Sequence, residues 1–344
     1  MKNHLFSHQR AGLNVVAIGG GNGLSTLLSG LKRYVGTAAS EMLRIDKLSA
    51  VVAVSDDGGS SGRLRDELQM LPPGDVRNCM VALSEDSLLL SKLFQHRFRG
   101  DGELGGHSFG NLFLAAMSEI TGDFAEAVKL SSEILASKGH IYPATMADVR
   151  LAAELKNGDI VRGETNISQV GSQIKRLYLE PENCQPLPEV LAAIYEADIV
   201  TIGPGSLFTS LLPPIMVEGV ADAIAEADAV KVFVCNLMTQ PGETDGFSAH
   251  KHLKAVRDYA PQIEFDYVVV NNRPISALQA ERYAIDGAEQ IGVRDSVSSA
   301  TVETAEIVFG NLLDEGEKVR HHPEKLARTV LLCALRATDK VTAA

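Results

Sequence analysis

The chain has 344 residues, of which 45% are hydrophobic, and its formal net charge at pH 7 is -12. That length and apolar content are enough to bury the core of one large α/β domain or of two smaller ones. The negative charge argues against a broad nucleic-acid surface and against attraction to anionic lipid. No apolar run approaches the ~18 residues of a membrane-spanning helix, so we expect no membrane insertion.

The N-terminal segment and the cysteines give two further indications about the kind of protein. The first segment, MKNHLFSHQRAG, lacks the apolar stretch of a signal peptide, and we expect residues 1–12 to form a disordered tail. The four cysteines lie far apart and form no C-x-x-C pair: Cys79, Cys184, Cys235 and Cys333. This usage is typical of reduced, buried cysteines in a cytoplasmic protein and argues against a metal cluster.

The first regular stretch, Asn14–Leu31, predicts a strand, a glycine turn and a helix. The apolar run Val15–Ile18 leads into the turn Gly19, Gly20, Gly21, Asn22 and Gly23. The buried face of the helix is predicted from the spacing of Leu24, Leu27, Leu28 and Leu31. Such a unit directs the N–H groups of the helix N-terminus at whatever lies above the strand, a position that favours anions. The G-x-G-x-x-G fingerprint is incomplete, because the third glycine is replaced by Leu24 or Thr26.

A second apolar run, Leu48–Val54, ends in the polar segment SDDGGSSGRLR. Asp56 and Asp57 stand at the strand end, where an acidic residue holds a ribose hydroxyl in dinucleotide sites. The same two carboxylates are a tentative Mg²⁺ site, since this ion binds oxygen ligands and is usually shared with a phosphate. Gly58 and Gly59 complete the loop, for which an Asx turn without a ligand is the alternative.

The segment Leu71–Asn78, LPPGDVRN, predicts another helix start. Asp75 is expected to be its N-cap. Arg77 and Asn78 fall in the first turn, where a positive charge does not complement the helix dipole. We therefore expect Arg77 to serve an anionic ligand.

A third polar segment, GGHSFGN, opens an apolar helix over Leu112–Ile120. It places His107 and Asn111 at the helix start, where the histidine could protonate a leaving group or contact a phosphate. A structural hydrogen bond is the alternative for a single histidine. A leucine-rich helix is predicted before it at Ser87–Phe98, and Asp123 is expected to cap the helix after it.

The middle of the chain has a different character. Val149–Leu155 and Ile160–Thr165 flank an Asn-Gly turn and predict a hairpin. The alternating run Ile174–Leu179 adds a further strand. We therefore expect residues 141–181 to form a small antiparallel insertion.

The α/β rhythm then returns. Three strands are predicted at Asp198–Ile202, Val230–Cys235 and Phe265–Val270. Helices are predicted at Val217–Ala227, Ser248–Tyr259, Ser276–Ala288 and Pro323–Ala337. With the strands of the first half, these units predict a Rossmann-like, doubly wound, mostly parallel sheet in a single domain over residues 13–340.

Polar loops follow these later strands too. The first ends in Gly203, Pro204, Gly205 and Ser206. This turn is typical of a phosphate-binding nest, with Ser206 as helix cap, although it does not match the Walker A pattern. The second strand ends in NLMTQPGETDG, which carries Asn236 and Thr239. Tyr283 and Arg320 could supply a stacking ring and a cation. Ligands of doubly wound sheets bind at the carboxyl ends of the strands, where all these loops are expected.

Several segments together resemble a known family. They are AIGGGNGLSTLLSGLK, VVAVSDDGGSSGRLR, LPPGDVRNCMVAL, GHSFGNLFLAAM, TIGPGSLFTSLLP, NLMTQPGETDGFSAHKHL and VRHHPEKLA. The chain resembles the bacterial gluconeogenesis-factor family, YvcK type, which is related to the CofD phospholactate transferases of deazaflavin cofactor synthesis. The resemblance runs from about Asn14 to Leu335. It matches the shared motif positions at Gly19–Gly23, Asp56, Asp57, His107, Asn111, Gly203, Gly205 and Asn236.

The resemblance implies a Rossmann-like fold with a nucleotide site. In the YvcK branch it implies a cytoplasmic protein that binds a UDP-sugar such as UDP-N-acetylglucosamine and supports cell shape and growth on gluconeogenic carbon sources, with no settled reaction. In the CofD branch it implies transfer of a nucleotide-activated phospholactate with a divalent metal. An NAD-dependent oxidoreductase ranks third, because the fingerprint is incomplete. A homo-oligomer is also allowed, since the leucine-rich helix could pair subunits.

Overall fold

The computed structural model describes residues 12–36, 43–85, 88–170, 173–292, 301–302, 304–314 and 316–342. The tail predicted at residues 1–12 therefore lies, except for Gly12, outside the described residues. The helix predicted from Ser87 also begins outside them.

The main sheet is doubly wound, as predicted. The strands in chain order are β1 (Leu13–Gly19), β2 (Ile45–Val52), β3 (His140–Pro143), β4 (Arg150–Leu155), β5 (Ile160–Arg162), β6 (Ile174–Glu180), β7 (Ile199–Ile202), β8 (Val230–Val234), β9 (Tyr267–Asn271), β10 (Thr301–Val302) and β11 (Ala305–Gly310). Eight of them form one sheet in the order β10-β11-β9-β8-β7-β1-β2-β3, in which β10 pairs antiparallel with β11 and the other pairs are parallel. The chain steps outward from β1 to β3 and then outward from β7 to β11, so the switch point lies between β1 and β7.

The helices cover both faces of this sheet. In chain order they are α1 (Gly21–Leu31), α2 (Gly59–Leu68), α3 (Gly74–Leu83), α4 (Leu88–Gln95), α5 (Phe109–Thr121), α6 (Phe124–Ile134), α7 (Glu164–Gln169), α8 (Pro188–Tyr195), α9 (Leu212–Met216), α10 (Val220–Glu226), α11 (Ala249–Tyr259), α12 (Ala277–Ile285) and α13 (Pro323–Thr342). A π-helical turn over Leu207–Leu211 precedes α9. One core cluster joins α8, α9, α10 and α11 to one sheet face, and the other joins α1, α3, α5 and α13 to the opposite face.

The central strands are largely apolar because both faces of the sheet are covered, although β8 contains Lys231 and β9 ends in Asn271. All five residues of β8 and all five of β9 are buried. Near-continuous apolar runs are typical of parallel strands between two helical layers. This burial explains why the strands were predicted from short continuous apolar runs and not from alternating patterns.

The antiparallel insertion is a three-stranded sheet in the order β5-β4-β6. Its hairpin turns at Asn157 and Gly158, and Gly158 has a φ of 92°, which favours glycine. The range 141–181 overlaps β3, which pairs in parallel with β2 in the main sheet. The antiparallel pairing therefore begins at Arg150.

The helix that follows the first glycine turn packs closely on the C-terminal helix. A Cβ atom at Gly30 would lie 2.1 Å from the carbonyl oxygen of Pro323, at the start of α13. Leu326, Val330 and Leu331 on α13 are fully buried in the same cluster as Leu27. This close packing fixes the position of α1 relative to α13.

All four cysteines are free and buried, as expected from their spacing. Among the described residues no single helix is long and apolar enough to cross a membrane. One pair, Leu207–Met216 with Val220–Glu226, is bent by 78° and meets the requirement on length and composition alone.

Candidate functional site

The glycine turn after β1 meets the glycine turn after β7 at the switch point. A Cβ atom at Gly23 would lie 2.2 Å from the carbonyl oxygen of Pro204, and the ideal Cβ position of Gly205 lies 3.5 Å from the carbonyl oxygen of Gly20. The first distance excludes a side chain at position 23, so glycine is required there, whereas the second is an ordinary van der Waals contact. The turn is partly helical, since Gly20 is the N-cap and α1 begins at Gly21, which has a φ of 61°.

The loop after β8 joins this pair of turns. The side chain of Asn236 accepts a hydrogen bond from the Gly205 amide at 3.1 Å and donates one to the Gly205 carbonyl at 2.7 Å. Gln240 Nε2 donates to Ser206 Oγ at 2.6 Å. Ser206 stands at the N-cap position of the π-helical turn without a capping bond from its side chain. Ser206 therefore occupies the cap position expected for it, but its hydroxyl accepts from Gln240 and makes no capping bond.

Asp75, on α3, makes a hydrogen bond to the N-terminus of α1. The prediction of Asp75 as N-cap is wrong, since Pro73 occupies that position and α3 begins at Gly74. Asp75 Oδ2 instead accepts a hydrogen bond from the Gly21 amide at 2.8 Å. Burial, and then the nearby Asp56 carboxylate, raise the pKa of Asp75 to about 6. The Gly21 amide is thus occupied, while the next two first-turn amides of α1 have no intrahelical acceptor.

Asp56 and Asp57, the two carboxylates of the acidic loop after β2, make different contacts. Asp56 Oδ1 accepts from the Gly58 amide at 2.9 Å, which is the Asx turn given above as the alternative interpretation of this loop. Asp57 Oδ1 accepts from both the amide and the hydroxyl of Thr165, at 2.9 Å and 2.7 Å. Asp57 therefore connects the loop to α7 in the antiparallel insertion. The half of SDDGGSSGRLR that begins at Gly59 is helical, as part of α2.

Two glutamates adjoin this loop: Glu164, which the sequence analysis did not select, and Glu243, which lies in the polar NLMTQPGETDG loop after β8. Burial raises the pKa of Glu164 well above its usual range, and Asp56 is the next largest cause. Glu243, which is 5% exposed, accepts from Ser168 Oγ at 3.2 Å, and burial raises its pKa. Glu164 follows a hairpin with no motif around it, so only the tertiary fold reveals its position.

The acidic side chains do not form a preassembled metal site. Among the described ranges, no group of three or more His, Cys, Asp or Glu side chains is arranged to hold a metal ion. Mg²⁺ commonly uses only one or two carboxylates and takes its other ligands from water and phosphate. Asp56 and Asp57 each keep one carboxylate oxygen outside the hydrogen bonds described above, so the donor set fits an ion shared with a phosphate.

His107 and Asn111 converge on a serine that the sequence prediction missed. Ser60 Oγ lies 3.0 Å from His107 Nδ1 and 3.1 Å from Asn111 Nδ2. All three side chains are buried. Burial lowers the pKa of His107, and Arg63 lowers it further. Ser60 lies in the first turn of α2, so this cluster borders the acidic loop.

Arg77 is engaged by the protein rather than left free for a ligand. Its Nη1 donates to Ser108 Oγ at 2.8 Å and its Nη2 donates to Asn78 Oδ1 at 2.6 Å. Ser108 is the N-cap of α5. The expectation that Arg77 serves an anion is not supported by these contacts, because a first-turn arginine can instead reach a hydroxyl on the next helix.

Two of the three later residues, Thr239 and Tyr283, also make hydrogen bonds within the protein. Thr239 Oγ1 accepts from the Glu289 amide at 2.8 Å. The hydroxyl of Tyr283 accepts from the Val319 amide at 3.0 Å, next to Arg320, whose side chain is exposed. Tyr283 and Arg320 therefore lie together on the segments that follow β9 and β11.

The sequence and the fold of this chain match those of known proteins. The family model described as 2-phospho-L-lactate transferase CofD matches residues 15–313. The chain belongs to the CofD family. It is 44% identical to the gluconeogenesis factor of Halalkalibacterium halodurans, covering 92% of this chain and 95% of that one. It is 41% identical to the gluconeogenesis factor of Bacillus subtilis, covering 91% and 95%. A crystal structure of a Bacillus halodurans protein matches with a TM-score of 0.86 at 43% identity, covering 93% and 99%.

Within this CofD-family fold, the predicted residues fall into three groups. Those of the loops at the ends of β1, β2, β7 and β8, with Asp75 on α3, lie together in the candidate site: Gly19, Gly20, Gly21, Asn22, Gly23, Asp56, Asp57, Gly58, Gly59, Asp75, Gly203, Pro204, Gly205, Ser206 and Asn236. The cluster of Arg77, Asn78, His107 and Asn111 borders it through Ser60 and Ser108. Thr239, Tyr283 and Arg320 belong to loops at the same edge of the sheet, beside β8, β9 and β11.

A separate cavity of about 870 Å³ lies near the starts of β2 and β3. Its lysines are compensated, since Lys47 pairs with Glu196 and Lys138 with Glu85. Its lining includes the N-terminal turn of α6, where the Asp123 side chain already accepts from the Glu126 amide, and it lacks the glycine turns of the carboxyl edge. The switch point between β1 and β7 is therefore the stronger candidate for an anionic ligand.

Proposed function

We propose that this CofD-family protein is a cytoplasmic factor that binds a nucleotide-sugar of the UDP-N-acetylglucosamine type and acts in cell morphogenesis and growth on gluconeogenic carbon sources. The contact between Gly23 and the Pro204 carbonyl carries the proposal. It brings the N-terminus of α1 and the turn after β7 together at the switch point. Nucleotides bind at this place in doubly wound sheets.

The diphosphate is assigned to the N-terminal turn of α1. The amides of Asn22 and Gly23 lie in the first turn and lack intrahelical acceptors. The helix dipole adds a favourable potential for a negative group there. Gly205, fixed by two hydrogen bonds to Asn236, forms the facing wall.

The base and the sugar are assigned to the loops on either side. Tyr283 offers a half-buried ring, and Arg320 offers an exposed guanidinium on the neighbouring segment. An aromatic face and a cation suit a uracil ring and a phosphate oxygen. These two residues lie on the β9 and β11 side of the same edge.

Isothermal titration with UDP-N-acetylglucosamine tests the proposal. Saturable heat with this ligand, and weaker binding of UDP and NADH, is the expected result. Arg320→Ala should weaken binding by about 10- to 150-fold, because a charge-assisted hydrogen bond contributes about 1.5–3 kcal/mol. Arg336→Ala is the matched control, since Arg336 is an exposed arginine on α13 paired with Glu306. No heat with UDP-N-acetylglucosamine, while another nucleotide binds, would contradict the ligand assignment.

A second candidate is a Mg²⁺-dependent transferase that acts on a nucleotide-diphospho-activated donor of the phospholactate type. The grouping of Asp56 and Asp57 beside Asp75 favours it, and so does the CofD family match. Bound Mg²⁺ would stabilise charge on the phosphate oxygens. Release of the nucleotide from such a donor, with loss of turnover in Asp56→Asn, would support it. An intact donor after prolonged incubation with Mg²⁺ and acceptor alcohols would count against it.

A further inference from the structure

Ser60 sits at the centre of a buried hydrogen-bond cluster. Its Oγ receives a hydrogen bond from Asn111 Nδ2 at 3.1 Å and a longer one from the Ser108 amide at 3.4 Å. The third neighbour is His107 Nδ1 at 3.0 Å. Ser60 is 4% exposed and so is His107, which leaves little room for water to alter these contacts.

The number of donors in this cluster decides the tautomer of His107. A serine hydroxyl has one proton to donate and two lone pairs to accept hydrogen bonds. With the Asn111 side-chain amide oriented so that Nδ2 faces Ser60, this nitrogen and the Ser108 amide can only donate, and they use both lone pairs. The proton of Ser60 therefore goes to His107 Nδ1, which must be the unprotonated ring nitrogen. The ring proton of the neutral imidazole is then on Nε2.

We propose that Ser60 is a positioning residue that holds His107 as a neutral imidazole with its Nε2–H available to donate to an acceptor oxygen of the bound nucleotide-sugar. This inference rests on the proposed function and adds a specific role for His107. The neutral donor suits a phosphoryl oxygen or a sugar oxygen alike. Ser60 acts here only through the orientation and tautomer of the ring.

Two further observations agree with a neutral donor. Burial, together with the positive charge of Arg63, keeps the pKa of His107 below its usual value, so the ring is uncharged at neutral pH. Among the described residues, His107 Nε2 has no hydrogen-bond partner. The second nitrogen of a histidine is commonly set by the bond that the first one makes.

The first measurement needs no mutation. The ring nitrogen resonances of ¹⁵N-labelled protein separate protonated from unprotonated nitrogens, and His107→Asn assigns the signal. We expect Nδ1 of His107 at the position of an unprotonated nitrogen and Nε2 at that of a protonated one. A protonated Nδ1, or a doubly protonated ring at neutral pH, would overturn the inference whatever the protein binds.

The second measurement links the tautomer to the ligand. Adding UDP-N-acetylglucosamine should shift the Nε2 resonance of His107. Ser60→Ala should produce a mixture of tautomers and weaken binding roughly three- to tenfold, the range for loss of one well-oriented hydrogen bond. Ser132→Ala is the matched control, because its hydroxyl bonds only to the Val128 carbonyl in its own helix. That variant should change neither the His107 spectrum nor the affinity.

The outcomes separate this inference from the proposed function. If the wild-type protein binds the ligand but Ser60→Ala keeps both the wild-type tautomer and the wild-type affinity, the role of Ser60 is wrong and the proposed function stands. If the wild-type protein does not bind the ligand, the proposed function fails and the ligand role of His107 fails with it. Thermal unfolding of Ser60→Ala and Ser132→Ala distinguishes loss of binding from loss of the fold.

Discussion

Asp75 affects both the geometry of the candidate site and the stability of the fold. Its carboxylate is buried beside Asp56, and it accepts the Gly21 amide at the start of α1. Burial and the neighbouring charge disfavour the ionised form, while the amide favours it. The raised pKa of about 6 shows that the unfavourable effects are the larger ones. Asp75 therefore orients the glycine turn at a cost in stability at neutral pH.

The variant Asp75→Asn tests this balance. Because the pKa of Asp75 is higher in the folded state than its usual 3.8, the folded state binds the proton more tightly, and stability falls as the pH rises from 3.8 to about 6. The asparagine keeps an acceptor for Gly21 and does not titrate. Between about pH 4 and pH 7 the variant should gain roughly 3 kcal/mol relative to the wild type.

Urea unfolding of both proteins across that pH range measures the difference. A free-energy difference between variant and wild type that does not change with pH would show that Asp75 titrates normally in the folded protein.

Gly23 tests the backbone contact that defines the site. A side chain there would meet the Pro204 carbonyl at 2.2 Å, so Gly23→Ala should destabilise the fold by about 2 kcal/mol or more despite the helix propensity of alanine. Gly102→Ala is the control, since nothing lies within 4 Å of its ideal Cβ position. The control should change the free energy of unfolding by less than about 1 kcal/mol. Equal stability of the two variants in urea would mean that the turns do not touch.

The sequence predicted where the loops at the strand ends fall better than it predicted the contacts of their side chains. The glycines near Gly21 and Gly205 mark strand ends, and strand ends of a parallel sheet share an edge. The partner of Asp75 is 54 positions away along the chain, and no local pattern could reveal it. Ser60 was missed for a similar reason, because a serine among turn-forming residues is ordinary.

At the scale of elements, prediction succeeded where the signal was long or chemically specific. The Asn-Gly turn gave the hairpin of β4 and β5, and Asp123 caps α6 as expected, with its side chain accepting from Glu126. The edge strand β3 was missed because HIYP is short and ends in proline, which is unusual in a strand interior. The strand β11 was missed as well.

The short helix α7 connects the antiparallel insertion to the loops of the candidate site. The hydroxyl of Thr165 donates to Asp57 at 2.7 Å and Ser168 donates to Glu243 at 3.2 Å. These bonds connect α7 to the loops that follow β2 and β8. The antiparallel sheet thus supports two of the loops that form the candidate site.

Thr165→Val tests that connection. Loss of a hydrogen bond to a carboxylate should cost about 1.5–3 kcal/mol locally. We expect faster amide hydrogen exchange over Glu164–Gln169, with little change in β4. Thr329→Val is the control, because its hydroxyl bonds to the Lys325 carbonyl within α13. Unchanged exchange over α7 would show that the hydroxyl does not fasten the helix.

For the molecule as a whole, the net charge and the proposed ligand carry the same sign. The chain has a net charge of -12, and a nucleotide diphosphate is an anion too. Attraction by the net charge therefore cannot drive binding of the proposed ligand, and the proposal assigns that attraction to the local amides of α1. Exposed leucines on α4, Leu89 and Leu93, leave a homo-oligomer as a prediction.

Ligand binding to the folded state should raise the unfolding temperature of the whole chain. At a free ligand concentration of about 100 times Kd, binding adds about 2.7 kcal/mol to the free energy of unfolding. A chain of 344 residues has an unfolding entropy of about 0.7 kcal/mol/K, so the expected shift in Tm is roughly 4 °C with UDP-N-acetylglucosamine. Differential scanning fluorimetry measures it, and Arg320→Ala at the same ligand concentration should show a smaller shift while Arg336→Ala matches the wild type. A ligand that gives saturable heat but no shift in Tm would mean that it binds the unfolded chain equally well, which a site assembled from four separate strand ends does not allow.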